Sequence, residues 1–373
     1  MRPARYLLAS AACLLTCFSA SGEPPEFSGN PFLWFDLEER LSAGVELADA
    51  DGDGDLDVFL ANGRHWAQPD FVYFNLGNGR LVTSRQLGVE NGPSYIIRTG
   101  DLDADGDVDA VTIRDSVPAQ VFLNDGVGVF EPAGEIDGAD GPARNALLHD
   151  FSGDGVLDLV TVQRRGGVQL FAGLGDGTFT APQPMPGELS GSTGLATADF
   201  NRDSRTDLVI ACRDGGPSSV LFNMGDKGWI AEPLSGTDGD HRQVVAGDFN
   251  GDGHADIILG ATTGMSSLLL GDGGGNFTAG PSLGEEGRAV QTLAAGDLDG
   301  DGDLDLVEGA GEQSNRIYFN NGIARFSAVT LEDEQEDTYG VAIGDMNGDG
   351  LTDLVFANSE AANIVMLART GGN

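Results

Sequence analysis

Cysteine, positive charge, histidine and helical periodicity are all scarce in this 373-residue sequence, and each shortage excludes something. Of three cysteines, Cys13 and Cys17 lie near the N-terminus and only Cys212 lies in the body of the chain. A disulfide framework is therefore excluded, and Cys212, which ends the strand-like run Asp207-Leu-Val-Ile-Ala-Cys212, reads as a small buried hydrophobe. Only 20 Lys and Arg stand against 59 Asp and Glu, giving a formal charge of −39. A surface so negative repels nucleic acid and anionic lipid, so neither is expected as a partner. The four histidines, His65, His149, His241 and His254, show no metalloprotease spacing and no assignable triad, so no catalytic residue is assigned. No stretch holds a 3.6-residue apolar period long enough for a substantial helix.

Long apolar runs are missing too. Arg2 and Arg5 precede an uncharged stretch from Tyr6 to Ala20, shorter than the roughly 20 residues a transmembrane span needs. With Ser19, Ala20, Ser21 and Gly22 following, residues 1–22 read as an export signal and no transmembrane span is expected. Leu14-Leu15-Thr16-Cys17 also resembles a bacterial lipoprotein box, with Thr16 where Gly or Ala is usual. Processing there would leave Cys17 as a lipid-bearing terminus, so two fates stay open. One is a secreted or periplasmic protein; the other is a membrane-anchored lipoprotein at the cell surface.

Aspartate and glycine are abundant, and they are ordered. The nonapeptide D-x-[DNS]-x-D-[GS]-x-x-D occurs seven times, at residues 49–57, 101–109, 150–158, 199–207, 248–256, 297–305 and 345–353. First aspartates are separated by 52, 49, 49, 49, 49 and 48 residues, a period that marks a repeat architecture rather than several unrelated domains. Each nonapeptide lies between two short apolar runs, such as Tyr95-Ile-Ile-Arg-Thr-Gly100 and Val108-Asp-Ala-Val-Thr-Ile113. A third run (Val121-Phe-Leu-Asn124), a glycine-rich turn and a fourth run near Phe130 follow. Four antiparallel strands per unit of about 49 residues is the arithmetic of a propeller blade. The expected fold is all-β, a seven-bladed propeller over residues 23–373. The last unit lacks a fourth strand, and Phe32-Leu-Trp-Phe35 is spare at the other end, so the N-terminal strand is expected to complete the seventh blade.

Oxygen ligands at high negative charge, with a tight turn at the sixth position, suit calcium better than transition metals or magnesium. Side chains at positions 1, 3, 5 and 9 and the carbonyl at position 7 can converge on one ion. Loop one offers Asp49, Asp51, Asp53 and Asp57 with the carbonyl of Asp55. Loop two offers Asp101, Asp103, Asp105 and Asp109 with Asp107. Loop three uses Asp150, Ser152, Asp154 and Asp158 with Val156, and loop four Asp199, Asn201, Asp203 and Asp207 with Arg205. Loop five has Asp248, Asn250, Asp252 and Asp256 with His254, and loop six Asp297, Asp299, Asp301 and Asp305 with Asp303. Loop seven closes the set with Asp345, Asn347, Asp349 and Asp353 and the carbonyl of Leu351. Up to seven Ca²⁺ ions are expected, one per blade. Loops one, two and six, with four aspartates at the side-chain positions, should bind most tightly. Loop four, with Asn201, Ser204 at the turn and a cation at Arg205, should bind least. These nonapeptides hold 27 of the 59 acidic residues, and seven dications would bring the formal charge from −39 to −25.

The repeat resembles the FG-GAP (VCBS-type) repeat of the integrin α-chain N-terminal propeller and of many exported bacterial proteins. The residues that carry the resemblance include Asp248-Phe-Asn-Gly-Asp-Gly-His-Ala-Asp-Ile-Ile-Leu259 and Asp345-Met-Asn-Gly-Asp-Gly-Leu-Thr-Asp-Leu-Val-Phe356. It implies a seven-bladed propeller with calcium between the first and second strands, and leaves the activity open. Integrin ligand binding also relies on partner-subunit elements absent here. Some lectins and polysaccharide lyases look like members of the same broad class.

Six residues before each first aspartate stand Ala43, Tyr95, Arg144, Thr193, Arg242, Gln291 and Tyr339. They should ring the channel mouth on the face opposite the calcium loops. Tyr95, Arg144, Arg242, Gln291 and Tyr339, with Trp66 from a nearby loop, are the candidate ligand contacts. His65, Arg164, Arg165, Arg213, His241 and Arg288 add to the same rim, unless they merely offset acids such as Asp240, Glu285 and Glu286. The function expected is a non-catalytic binding or adhesion module for a glycan or an extracellular or envelope protein. The alternatives are a carbohydrate-active enzyme such as a polysaccharide lyase, or a scaffold in an envelope complex.

Overall fold

The computed structural model describes residues 24–331 and 336–370; residues 1–22, expected to be an export signal, lie outside the described residues with Cys17. Seven four-stranded antiparallel sheets form a seven-bladed propeller. Blade one runs Ser42–Ala48, Asp57–Asn62, Phe71–Asn75 and Leu81–Gln86, from the channel outward. The pattern repeats to blade six, ending in Ser327–Thr330. Burial follows strand position. All six residues of each second strand in blades one to six, such as Asp109–Arg114, are buried, because both sheet faces are covered by neighbouring blades. Outer strands such as Phe130–Glu135 are largely exposed. Among the described residues no helix is long and apolar enough to cross a membrane.

The apolar core is divided among the seven junctions between blades. Each of the seven buried clusters joins two adjacent blades. The second residue of each nonapeptide plugs one junction: Ala50, Leu102, Phe151, Phe200, Phe249, Leu298 and Met346 are all buried. Phe151 meets Trp229 of the next blade edge-on at 5.6 Å, and Phe200 meets Phe277 in the same way at 5.6 Å. Edge-to-face geometry adds to the area these rings bury.

The seventh blade takes its outer strand from the other end of the chain. Trp34–Phe35 pairs antiparallel with Asn363–Met366, Trp34 opposite Ile364 and Phe35 opposite Asn363. Beside it Glu26–Phe27 pairs with Ala368–Arg369. This is the closure expected from the spare run at Phe32–Phe35. Phe35 is buried against Tyr73 of blade one, ring centroids 5.1 Å apart, while Phe32 faces solvent. Phe35→Ala should therefore destabilise the protein by about 3–5 kcal/mol and lower its melting temperature at fixed calcium, with Phe32→Ala near wild type. Equal melts for Phe35→Ala and wild type would show that closure carries no stability.

Candidate metal loops and the arginine-rimmed channel

Each nonapeptide forms the loop between the first and second strands of its blade, and its first and ninth carboxylates do different work. The first aspartate closes the turn on itself. Asp49 accepts from the amides of Gly52 at 2.8 Å and Gly54 at 3.0 Å, and Asp345 accepts from Gly348 and Gly350 at 2.8 Å each. The ninth opens the second strand and accepts two amides, one from loop position 2 and one from the end of the third strand. For Asp57 the donors are Ala50 and Asn75, and for Asp305 they are Leu298 and Asn320. All seven loops repeat this clasp. Burial pushes Asp57, Asp109, Asp207, Asp256 and Asp353 up to about 6, and Asp305 up to about 7, against the lowering effect of those amides.

Three loops gather acids closely enough to hold a metal ion. They are Asp49, Asp51 and Asp53; Asp101, Asp103 and Asp109; and Asp297, Asp299 and Asp305, with ligand oxygens in each group within 4.8 Å of one another. These are loops one, two and six, the ones richest in aspartate. Asp51 Oδ1 is buried with no hydrogen-bond partner, an orphaned acceptor that a cation would satisfy. Burial, then repulsion from Asp53, Asp105 or Asp301, raises the carboxyls of Asp51, Asp103 and Asp299. The donor set of clustered hard oxygens fits a divalent cation of the calcium type. Loop four differs. The Arg205 guanidinium folds back onto Asp203 and donates to the Asn223 carbonyl at 2.6 Å, and Ser204 takes φ 66°, where the other six loops place glycine.

On the opposite face, loops between second and third strands meet the connections between blades; Gln68 and Gly92, for example, exchange backbone bonds of 3.0 and 3.1 Å. Here the channel opens as a cavity of about 610 Å³. All seven residues placed six before the first aspartates line it, so Tyr95, Arg144, Arg242, Gln291 and Tyr339 are brought together. Trp66 is 70% exposed and is not among the lining residues. Among the described residues, six arginines line the channel (Arg64, Arg98, Arg144, Arg164, Arg213 and Arg242), with Glu46 the one acid. His241 is buried beneath the rim, and Arg288 pairs with buried Glu308 inside blade six.

Most of these cations are balanced. Arg144 meets Asp115 at 2.8 Å and lies 4.4 Å over the Tyr95 ring; Arg213 meets Asp240 at 2.8 Å; Arg164 meets Asp214 at 3.2 Å. Arg98 and Glu46 pair deeper inside. Burial works to raise the Asp115 carboxyl, but bonds from Arg144 and His65 outweigh it and hold it below its ordinary value. His65 Nδ1 lies 2.6 Å from Asp115 Oδ2, and its Nε2 lies 3.0 Å from the Tyr95 hydroxyl. Burial lowers the Arg242 guanidinium from its ordinary value. The sequence reading missed Arg64, which reaches the channel from the turn after Asn62. The run Gly63-Arg64-His65-Trp66 in a chain so poor in cations was the available signal.

A propeller of such blades, with an aspartate loop in each, defines the class. The chain belongs to the FG-GAP-like repeat family, whose model matches residues 49–112, 101–161, 150–210, 199–259 and 248–308. No curated protein matches it in sequence. Solved propellers share the fold at low identity. BP39L lectin from Burkholderia pseudomallei superposes with a TM-score of 0.69 at 15% identity, over 90% of this chain and 98% of that one. An Agrocybe aegerita lectin that recognises non-reducing terminal N-acetylglucosamine gives 0.59 at 20%, over 87% and 86%. Virginiamycin B lyase from Staphylococcus aureus gives 0.63 at 11%, over 91% and 99%.

Asp70 anchors the loop that carries Arg64 and His65. Its carboxylate accepts from the Asn62 amide at 2.8 Å and the Ser94 hydroxyl at 2.6 Å, and burial pushes it up to about 7. Because the folded state favours the protonated form, its stabilisation is complete below about pH 4 and is lost as pH rises through about 7. Asp70→Asn should flatten this part of the stability profile and raise the melting temperature near pH 8 relative to wild type. Parallel pH slopes for the two proteins, melted in calcium, would exclude Asp70 as the source.

Proposed function

We propose that the protein is an exported, calcium-loaded binding or adhesion module that receives a glycan or an extracellular or envelope protein at the channel mouth. The observation that carries this is the 610 Å³ cavity, where tyrosine faces, polar groups and six arginines converge in a chain of formal charge −39. Pockets of this size with a few convergent polar groups suit small ligands or the tip of a larger one. Lectins among the similar folds give a sugar ligand added weight.

Seven graded calcium sites complete the reading, holding the loop face rigid while the other face binds. At calcium tenfold above Kd each filled site adds about 1.4 kcal/mol. Chelation should lower the melting temperature sharply, and calorimetric titration should fill loops one, two and six first. Asp51→Ala should then lower the calcium-loaded midpoint more than Asn201→Ala. Equal effects, or a melt indifferent to verified metal removal, would refute the graded sites.

One arrangement favours a second reading, elimination on an acidic polysaccharide. With the ring proton on Nδ1, His65 donates to Asp115 and can take the Tyr95 hydroxyl proton. The Tyr95 oxygen would remove the proton beside a uronate carboxylate; those electrons form the C4–C5 double bond, the C4–O bond breaks, and the leaving oxygen takes a proton from water. A glycan array in millimolar calcium, repeated with chelator, separates the readings. A binder should retain specific glycans unchanged and release them on chelation. Unsaturated uronate product, absorbing in the ultraviolet and lost in Tyr95→Phe, would replace the binding reading with the enzymatic one.

A further inference from the structure

Arg64 and Arg242 stand apart from the other channel arginines. Their guanidinium carbons lie 4.0 and 4.7 Å from the centroid of one ring, Tyr339. They come from blades one and five, and Tyr339 from blade seven, so the three converge across the mouth. Arg64 donates to the Ser359 hydroxyl at 2.9 Å, and neither arginine has a carboxylate within 4.0 Å among the described residues. Asp337, two residues before Tyr339, feels both charges without closing an ion pair. Two cations on one ring repel each other, and four neighbouring arginines each have an acid. Gln291 Oε1, on blade six between them, is buried and has no hydrogen-bond partner among the described residues.

We infer that Arg64 and Arg242 form a clamp for the carboxylate of an acidic sugar, with Gln291 accepting a hydroxyl of the same residue and Tyr339 beneath it. The inference rests on the channel mouth being the ligand face. Guanidinium groups match a carboxylate in geometry as well as charge. A bare inorganic anion would answer the two cations but leave the Gln291 acceptor unmet, so a uronic acid fits better than sulfate.

The test is calorimetry on the purified protein in millimolar calcium, with uronate-terminated disaccharides, their methyl esters, neutral counterparts and inorganic sulfate as probes. The free acids should bind, and the esters should be weaker by about 10- to 100-fold. Arg64→Asn, which keeps a residue tolerant of the φ of 51° found there, and Arg242→Gln should each lose about tenfold for the acid. Both should weaken the ester less than the acid, so that the acid's advantage over the ester shrinks, and both should leave the calcium-loaded melt unchanged. Acid and ester binding alike, or full affinity in the double variant, overturns the clamp. Sulfate competing as well as the uronate overturns the sugar assignment. Neutral glycans or a protein ligand binding while every uronate fails removes the clamp and leaves the binding-module reading standing; failure of every ligand removes both.

Discussion

The doubly bonded carboxylate at the ninth position of each repeat is the constraint on which the structure depends. One of its oxygens holds the amide of loop position 2, and the other holds the end of the third strand. Position 2 is also the side chain that plugs the junction with the next blade. A single buried aspartate thus fixes the loop, ties three strands of one blade together, and sets the plug that seats the neighbouring blade. A buried carboxylate without such partners would cost several kcal/mol, and two amides from a rigid sheet supply them.

The carbonyl of position 2 extends the linkage around the ring. Asn75, Asn124 and Asn223 end the third strands of blades one, two and four, and Asn320 directly follows that of blade six. Each donates a side-chain amide to the position-2 carbonyl of the preceding blade: Met346, Ala50, Phe151 and Phe249. Blades three, five and seven have Gly173, Gly271 and Ala368 there. Backbone amides of Gly177 and Gly275 reach the carbonyls of Leu102 and Phe200 instead. Adjacent loops are therefore mechanically joined, most directly where an asparagine spans the gap. An ion bound in one loop would also steady the backbone that receives its neighbour, linking metal, packing and closure in one nine-residue segment.

Much of this was legible because a repeat multiplies weak signals. Blade number, strand order, the closing strand at Trp34–Phe35 and the assignment of loops to two faces all follow from the period and the spare run at one end. The channel-mouth residues could be counted off because each first strand runs into its loop in the same register, blade seven's being one residue longer only at its start. Three things escaped. The plug role of position 2 was visible as seven apolar residues, from Ala50 to Met346, but the aspartates around them drew the reading toward metal. Arg64 escaped because, although it stands at a countable position where blades one, two, four, six and seven all take a left-handed φ, nothing in the repeat says that this turn reaches the channel. The contact of His65 with Asp115 joins residues 50 positions apart on neighbouring blades, and only the folded ring brings them within 2.6 Å.

Separating the scaffold from the proposed ligand face also answers a difficulty posed by the net charge. A protein at −39 would repel an anionic ligand at long range unless cations were concentrated and acids withdrawn. The fold does both. The nonapeptides collect 27 of the acids at one end of the channel, where bound cations can offset them, and the strands carry the arginines to the other end. Asp115, Asp214 and Asp240 each neutralise one of those arginines, so the rim is not a uniform positive patch. What remains uncancelled by close pairing, among the described residues, is the narrow space above Tyr339. On the proposed reading, recognition confined to so small a region would depend on shape and hydrogen-bond geometry rather than on bulk attraction, and the rigidity of the blades beneath it would become part of the binding site.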